Sequence, residues 1–291
     1  MYWEKRWFQY AVLLLLAFVW GSSFILMKIG LKSFSDQQAA AIRIVFASLA
    51  ILPYSIKHLK YLRKKDLKSF FIVGFIGSFF PAFLFMKAQT RIDSAMAGML
   101  NSLTPIFTLL VGLLFYKMKF NWKQVSGLGI GLIGALGLIS SGEGISFSNV
   151  NSYAFFIVLA TVFYATSVNE VKTNLTHLSG LQITSLMFFF TGPVALVYLL
   201  TTDLQVVVGK PQWQLHLLAL ALLGTIGTAA ALVLLNSLIH KVTPIMASSV
   251  TYIIPIFAIF WGVVDGEKIT LFHLLCMGII LLGVFMINRK K

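Results

Sequence analysis

The chain has 291 residues, 58% of them apolar and 11% charged, with a mean hydropathy of +0.89. A water-soluble domain carries roughly a quarter of its residues as Asp, Glu, Lys and Arg, so this composition excludes a soluble protein and makes lipid the solvent. The formal charge of +14, from 23 basic and 9 acidic residues, does not point to nucleic acid, because most basic residues fall in short gaps between long apolar runs, as membrane orientation requires. The single cysteine, Cys276, lies inside an apolar run, which excludes an intrachain disulfide and CxxC metal or redox motifs.

In chain order, Lys5 and Arg6 precede an apolar stretch that imitates a secretory signal. It continues through Trp20 to Leu31 without a small-x-small cleavage site and reads as a retained membrane helix. Windows of ~20 apolar residues, enough to cross ~30 Å of hydrocarbon, follow near 9–31, 37–56, 68–89, 94–115, 124–141, 151–171, 179–200, 214–238, 243–264 and 270–288. Ten spans put both termini on one side. With that side cytoplasmic, 16 basic residues lie inside: Lys5, Arg6, the cluster from Lys57 to Lys68, Lys117, Lys119, Lys123, Lys172, Lys241, Arg289, Lys290 and Lys291. Six lie outside, namely Lys28, Lys32, Lys87, Arg91, Lys210 and Lys268, and Arg43 falls within a span. The stretch 142–149 is expected outside.

The sequence repeats itself. Shifting it by 150 residues matches ten of 39 positions from Gly74 to Gly112 against Gly224 to Gly262, including Gly77 with Gly227 and Pro105 with Pro255. A shift of 144 pairs Ser23 with Ser167 and Lys28 with Lys172. The halves, 1–145 and 146–291, are therefore expected to be repeats of five spans each. Five is odd, so the second enters the membrane inverted, the geometry of alternating access.

The motif Trp20-Gly21-Ser22-Ser23-Phe24 with Lys28, then Arg43, the run 88–105 and the stretch 129–134, resembles the EamA-like family of the drug/metabolite transporter superfamily. The resemblance implies a ten-helix carrier of two inverted five-helix repeats that moves metabolites, in most cases outward. It also implies basic residues at Lys28 and Arg43, and a scaffold role at the edge for the fifth and tenth helices. The family's Gly-Glu pair after the fourth and ninth helices is present as Gly266-Glu267, whereas the first repeat has Tyr116-Lys117 there.

Pro105 and Pro255 sit about halfway along their spans and free the carbonyls of Asn101 and Thr251. Each belongs to a polar stripe at helical spacing: Ser94, Gly98, Asn101, Ser102 and Pro105, and Ser248, Thr251, Tyr252 and Pro255. The stripes either line a shared midplane cavity or let helices pack closely. Trp20 with Ser23 and Tyr164 with Ser167 form a second matched pair that can stack on and hydrogen-bond a solute, or simply pack. Lys28, Arg43, Lys87 and Arg91 lie towards one mouth, and Glu170, Lys172, His240 and Lys241 towards the other, as gating and charge-selecting groups or as snorkelling ones. Arg43 needs an anion, either Asp36, Asp93 or the solute's own carboxylate or phosphate. Gly127 and Gly131 form a GxxxG pair for close packing, within the monomer or between monomers, the first being favoured.

No Asp or Glu lies mid-span, which disfavours proton-coupled export of cationic drugs. His58, His177, His216, His240 and His273 are scattered near span ends, so an enzyme has little to work with. The expected protein is an all-α secondary transporter of the bacterial-type inner (plasma) membrane, both termini cytoplasmic. It carries a small organic metabolite such as an amino acid, with no cofactor or metal. Its partners are that solute and the bilayer, not nucleic acid, and it is a monomer or weak homodimer. The alternatives are a lipid scramblase or flippase component for a phosphorylated carrier lipid, and a channel.

Overall fold

The computed structural model describes residues 5–118, 122–139 and 152–288. The expected exterior stretch 142–149, with Glu143, lies outside the described residues, as do Lys119, Arg289, Lys290, Lys291 and the side chain of Ser248.

Among the described residues the structure is helical, with no strand. Nine segments are long and apolar enough to cross a membrane: α1 (Arg6–Gly30), α2 (Asp36–Tyr61), α3 (Lys64–Gln89), α4 (Ser94–Phe115), α5 (Trp122–Ile139), α6 (Ala154–Asn174), α7 (Gly180–Leu200), α8 (Trp213–Ile239) and α9 (Pro244–Val264). A further helix, α10 (Leu271–Asn288), is apolar over the shorter stretch Leu271–Met286. Each begins within a few residues of an expected window, because backbone polar groups in lipid must pair within a helix and apolar length therefore marks the element.

Local sequence sets the starts. Ser35 and Gln38 form a reciprocal capping box at α2, and Ser179 and Gln182 form the same box at α7. The two boxes are 144 residues apart, so the repeat extends to the caps. Small residues face inward, as in the fully buried run Ala39, Ala40 and Ala41, while Val197, Leu200, Phe260 and Leu271 face outward. An outward apolar face is what lipid requires. Gly283 lies against the Gly127 carbonyl and Gly131, where a Cβ would overlap backbone. The glycines of α5 thus hold α10 within the same chain.

Four of the spans depart from plain α-helix in their interior. Segments α3 and α8 contain π-helical turns at Ile72–Phe79 and Thr225–Ala230, which include the repeat-related Gly77 and Gly227. Segment α4 is two helices, Ser94–Asn101 and Thr104–Phe115. Segment α9 runs as Pro244–Ser248, a 3-10 turn at Ser249–Tyr252, and Ile254–Val264.

Pro105 and Pro255 stand at the breaks in these two spans. Each is the second residue of a new helix, where the missing N–H has no intrahelical partner to lose. The freed carbonyls find hydroxyls instead: Thr104 Oγ1 donates to the Asn101 carbonyl at 2.7 Å, and Ser102 Oγ donates to the Thr251 carbonyl at 2.9 Å. The second bond ties the two broken spans together.

Candidate binding cavity and its two ends

A cavity lies where the broken and π-turned spans meet, with about 100 Å³ open to the centres of water-sized molecules, several times what one water needs. Its walls include Trp20, Ser23, Arg43 and Asn101 from the first half and Tyr164, Ser167 and Thr251 from the second. Seven of the nine residues expected to bind solute therefore share one space. The other two do not. Ser102 is fully buried on the Thr251 carbonyl, and the Tyr252 hydroxyl turns to the Val284 carbonyl of α10 at 3.5 Å. The break after Asn101 and the 3-10 turn before Ile253 change the angular step per residue, so stripes drawn for a continuous helix lose register there.

The walls interlock across the repeats. Trp20 Nε1 donates to the Gly227 carbonyl at 3.0 Å, and Ser23 Oγ returns to the Val19 carbonyl. A Cβ at Gly227 would press on Ser23, and one at Gly77 would overlap Ser167. Each serine thus sits in the hollow of a glycine on the opposite repeat's π turn. Only glycine allows that approach.

Arg43 is the charged residue of the cavity wall. It lies seven residues into α2, about 10 Å along the helix, and is only 7% exposed. Its Nε donates to Thr228 Oγ1 at 2.7 Å, and Tyr164 lies within electrostatic reach. The Thr228 hydroxyl donates in turn to the Leu223 carbonyl, so the π turn of α8 aims the acceptor at Arg43. Nη1 is buried without a partner. Neither expected carboxylate supplies one: Asp36 pairs with Lys87 at 3.5 Å, and Asp93 lies 4.0 Å from Lys28. At the 144-residue offset the counterpart of Arg43 is Met187, also in the wall. Sequence reasoning missed Thr228 and its counterpart Ser78, although the repeated glycines around both marked these turns.

Each end of the bundle carries a polar network, and α4 runs from one to the other. At its start, Lys28 Nζ lies 2.6 Å from Asp265 and 2.8 Å from Glu267. The Glu267 side chain, 2% exposed, also accepts from the backbone N–H groups of Ser94 and Ala95, both at 2.9 Å. It thereby caps α4 from across the fold, where a carboxylate is favoured by the helix dipole. The adjacent Asp93 makes no side-chain cap. Burial and the neighbouring Glu267 charge push the Asp93 carboxyl above its ordinary value.

At the far end of α4, Glu170 is buried and accepts from Ser69 Oγ (2.6 Å), Tyr116 Oη (2.6 Å) and Asn174 Nδ2 (2.8 Å). Burial and that carboxylate push the Tyr116 hydroxyl upward. Lys172 does not snorkel: Nζ donates to the carbonyls of Ile239 and His240, at 3.0 and 3.3 Å, closing the end of α8. Burial, then Lys172 and Lys241, lower the affinity of His240 for a proton. Lys87, paired with Asp36, stands apart from the Lys28 cluster.

The Gly266-Glu267 turn has its counterpart one residue later than expected, at Lys117-Met118. Gly266 (φ 81°) and Lys117 (φ 54°) are both left-handed. The following N–H groups donate to the repeat-related carbonyls of Gly262 and Gly112. Met118 occupies the place of Glu267, each packing on its glycine.

Against known proteins, the model of the EamA-like transporter family matches residues 7–140 and 151–289, one match in each half. The chain is similar to a protein of Escherichia coli K12 named an uncharacterized inner membrane transporter, at 23% identity over 97% of this chain and 91% of that one. It is also similar to the "probable amino-acid metabolite efflux pump" of the same organism, at 24% identity over 52% of this chain and 48% of the other. A solved crystal structure aligns with a TM-score of 0.66 at 15% identity over 95% of each chain, a likeness of fold.

Proposed function

The chain belongs to the EamA-like transporter family, and on that premise we propose that it is a secondary transporter that moves a small organic metabolite, such as an amino acid, by alternating access. The ten helical segments form two inverted five-span repeats, 1–145 and 146–291. Both termini face the cytoplasm of a bacterial-type inner membrane, with the Lys28 end outside and the Lys172 end inside. The bias of basic residues supports that orientation. The inner-membrane relative supports the location, and the efflux-pump relative supports the solute class and outward direction.

The observation that carries the proposal is the cavity itself. Residues of both repeats build it, and it lies between two networks, one at each end of α4. Rocking one repeat against the other breaks one network while the other holds, and so exposes the cavity to one side at a time. The chain packs α5 on α10 internally, consistent with a monomer or weak homodimer.

Proteoliposomes test this directly. Labelled amino acids and organic acids should enter with saturable kinetics and show counterflow when the lumen is preloaded with the same solute. Non-saturating flux without counterflow would make the protein a channel, and movement of labelled lipid without solute uptake would make it a scramblase. For orientation, in a Cys276→Ser background, a cysteine at Thr90 should react with an impermeant maleimide in intact cells while one at Lys64 should not. The reverse pattern overturns the assignment of sides.

A further inference from the structure

Resting on the transporter reading, we infer that the group this cavity recognises is a single carboxylate, received by the open Nη1 of Arg43, and that a solute needs no ammonium to bind. The guanidinium keeps its charge throughout the physiological range. Carrying that charge inside a bilayer is costly unless an anion answers it. Among the described residues no carboxylate forms an ion pair with it: Asp36 serves Lys87, and Asp93, Asp265 and Glu267 lie about Lys28. Nε is spent on Thr228 and the Tyr164 hydroxyl lies near the guanidinium, but Nη1 is buried and unpartnered. The arriving solute completes the pair.

The form of the anion follows from charge. Arg43 is the one charged residue of the wall among the described residues, since its repeat counterpart is Met187 and no described Asp or Glu lines the cavity. One positive charge balances one carboxylate, and a phosphate monoester would bring an unmatched second charge. A planar carboxylate also fits a guanidinium edge-on. An ammonium meets only neutral oxygens such as the Asn101 side chain, so it adds little. Phe24, Phe85, Leu232 and Leu235 supply an apolar wall for the remainder of the solute.

The test uses the full-length protein in micelles and four probes that share one apolar group: 3-phenylpropionate, L-phenylalanine, phenethylamine and phenyl phosphate. Thermal unfolding reports binding, because a ligand stabilises the state that holds it. Phenylpropionate and phenylalanine should bind within about three-fold of each other, and phenethylamine and phenyl phosphate at least about ten-fold more weakly. Arg43→Gln should erase that preference while its unliganded midpoint stays near the parent's, and Arg43→Lys should restore part of it. If Arg43→Gln does not fold, Thr228→Val, which releases Nε, should weaken carboxylates alone.

Tight binding of phenethylamine, preference for phenyl phosphate, binding of phenylalanine but not phenylpropionate, or no binding of either carboxylate overturns the inference. Carboxylate binding without counterflow instead defeats the transporter reading and leaves the inference standing. Counterflow of amines that ignores Arg43 does the opposite.

Discussion

Two lysines that the repeat makes equivalent are answered in different ways. Lys28 meets Asp265 and Glu267, with Asp93 just beyond, whereas Lys172 meets, among the described residues, the carbonyls that end α8. The helix starts diverge likewise. Glu267 reaches across the fold to cap α4, while α9 is capped locally by Thr243 Oγ1, which accepts from the Met246 N–H, and opens with Pro244, which has no N–H to satisfy. The carboxylate at the Lys172 end, Glu170, is held by two hydroxyls and an amide. Duplication kept the backbone and the lysine and let the partners drift. One end is consequently closed by paired charges, and the other by hydrogen bonds in which each charged group meets neutral partners.

The largest expected effect comes from stripping the charged end. Glu267→Gln leaves Lys28 short of its most buried partner and weakens the cap on α4. It should cost about 2 kcal/mol, between an exposed ion pair and a buried one, read as a lowered unfolding midpoint in micelles. Next comes Glu170→Gln, which strands no cation and keeps one acceptor oxygen, and should cost about 1 kcal/mol. Equal losses in the two variants would break the comparison.

The smallest effects are in pH, and they run in opposite senses. The Asp93 carboxyl is held above its ordinary value of 3.8, so the folded state favours its protonated form. That contribution is complete below the ordinary value and is lost as pH rises through the folded one. His240 is held below its ordinary value of 6.5, so the folded state favours neutral imidazole. That contribution is present above the ordinary value and is lost as pH falls through the folded one. Unfolding midpoints measured from about pH 4 to pH 8 should show Asp93→Asn removing the acid-side gain and His240→Gln removing the acid-side loss, each by about a degree. A change of the same sign in both would contradict the stated causes.

Much of this architecture is visible in the sequence because hydropathy has one meaning in lipid: a run long enough to cross is a helix. The approximate starts of the helical segments follow from that alone. The cavity is visible in part, since Trp20, Ser23, Arg43, Tyr164 and Ser167 were marked by polarity and by the 144-residue offset. Ser102 and Tyr252 were misplaced because helical spacing presumes a constant turn per residue, and both spans break beside them. The partners of Lys28 lie more than 230 residues away, at positions 265 and 267, and no local pattern announces a contact of that reach. Met187 as the uncharged counterpart of Arg43 could have been found from the matched capping boxes, whose spacing fixes the register of α2 against α7.

The crossed serine and glycine contacts also set an order of assembly. As the chain is synthesised, the hollow at Gly77 stays empty until residues 154–174 have entered the membrane. Ser23 waits longer, until Gly227 arrives with the eighth segment. The first half, though inserted, has no complete wall of its own to settle into. The contacts that complete its wall form only once the second half is present.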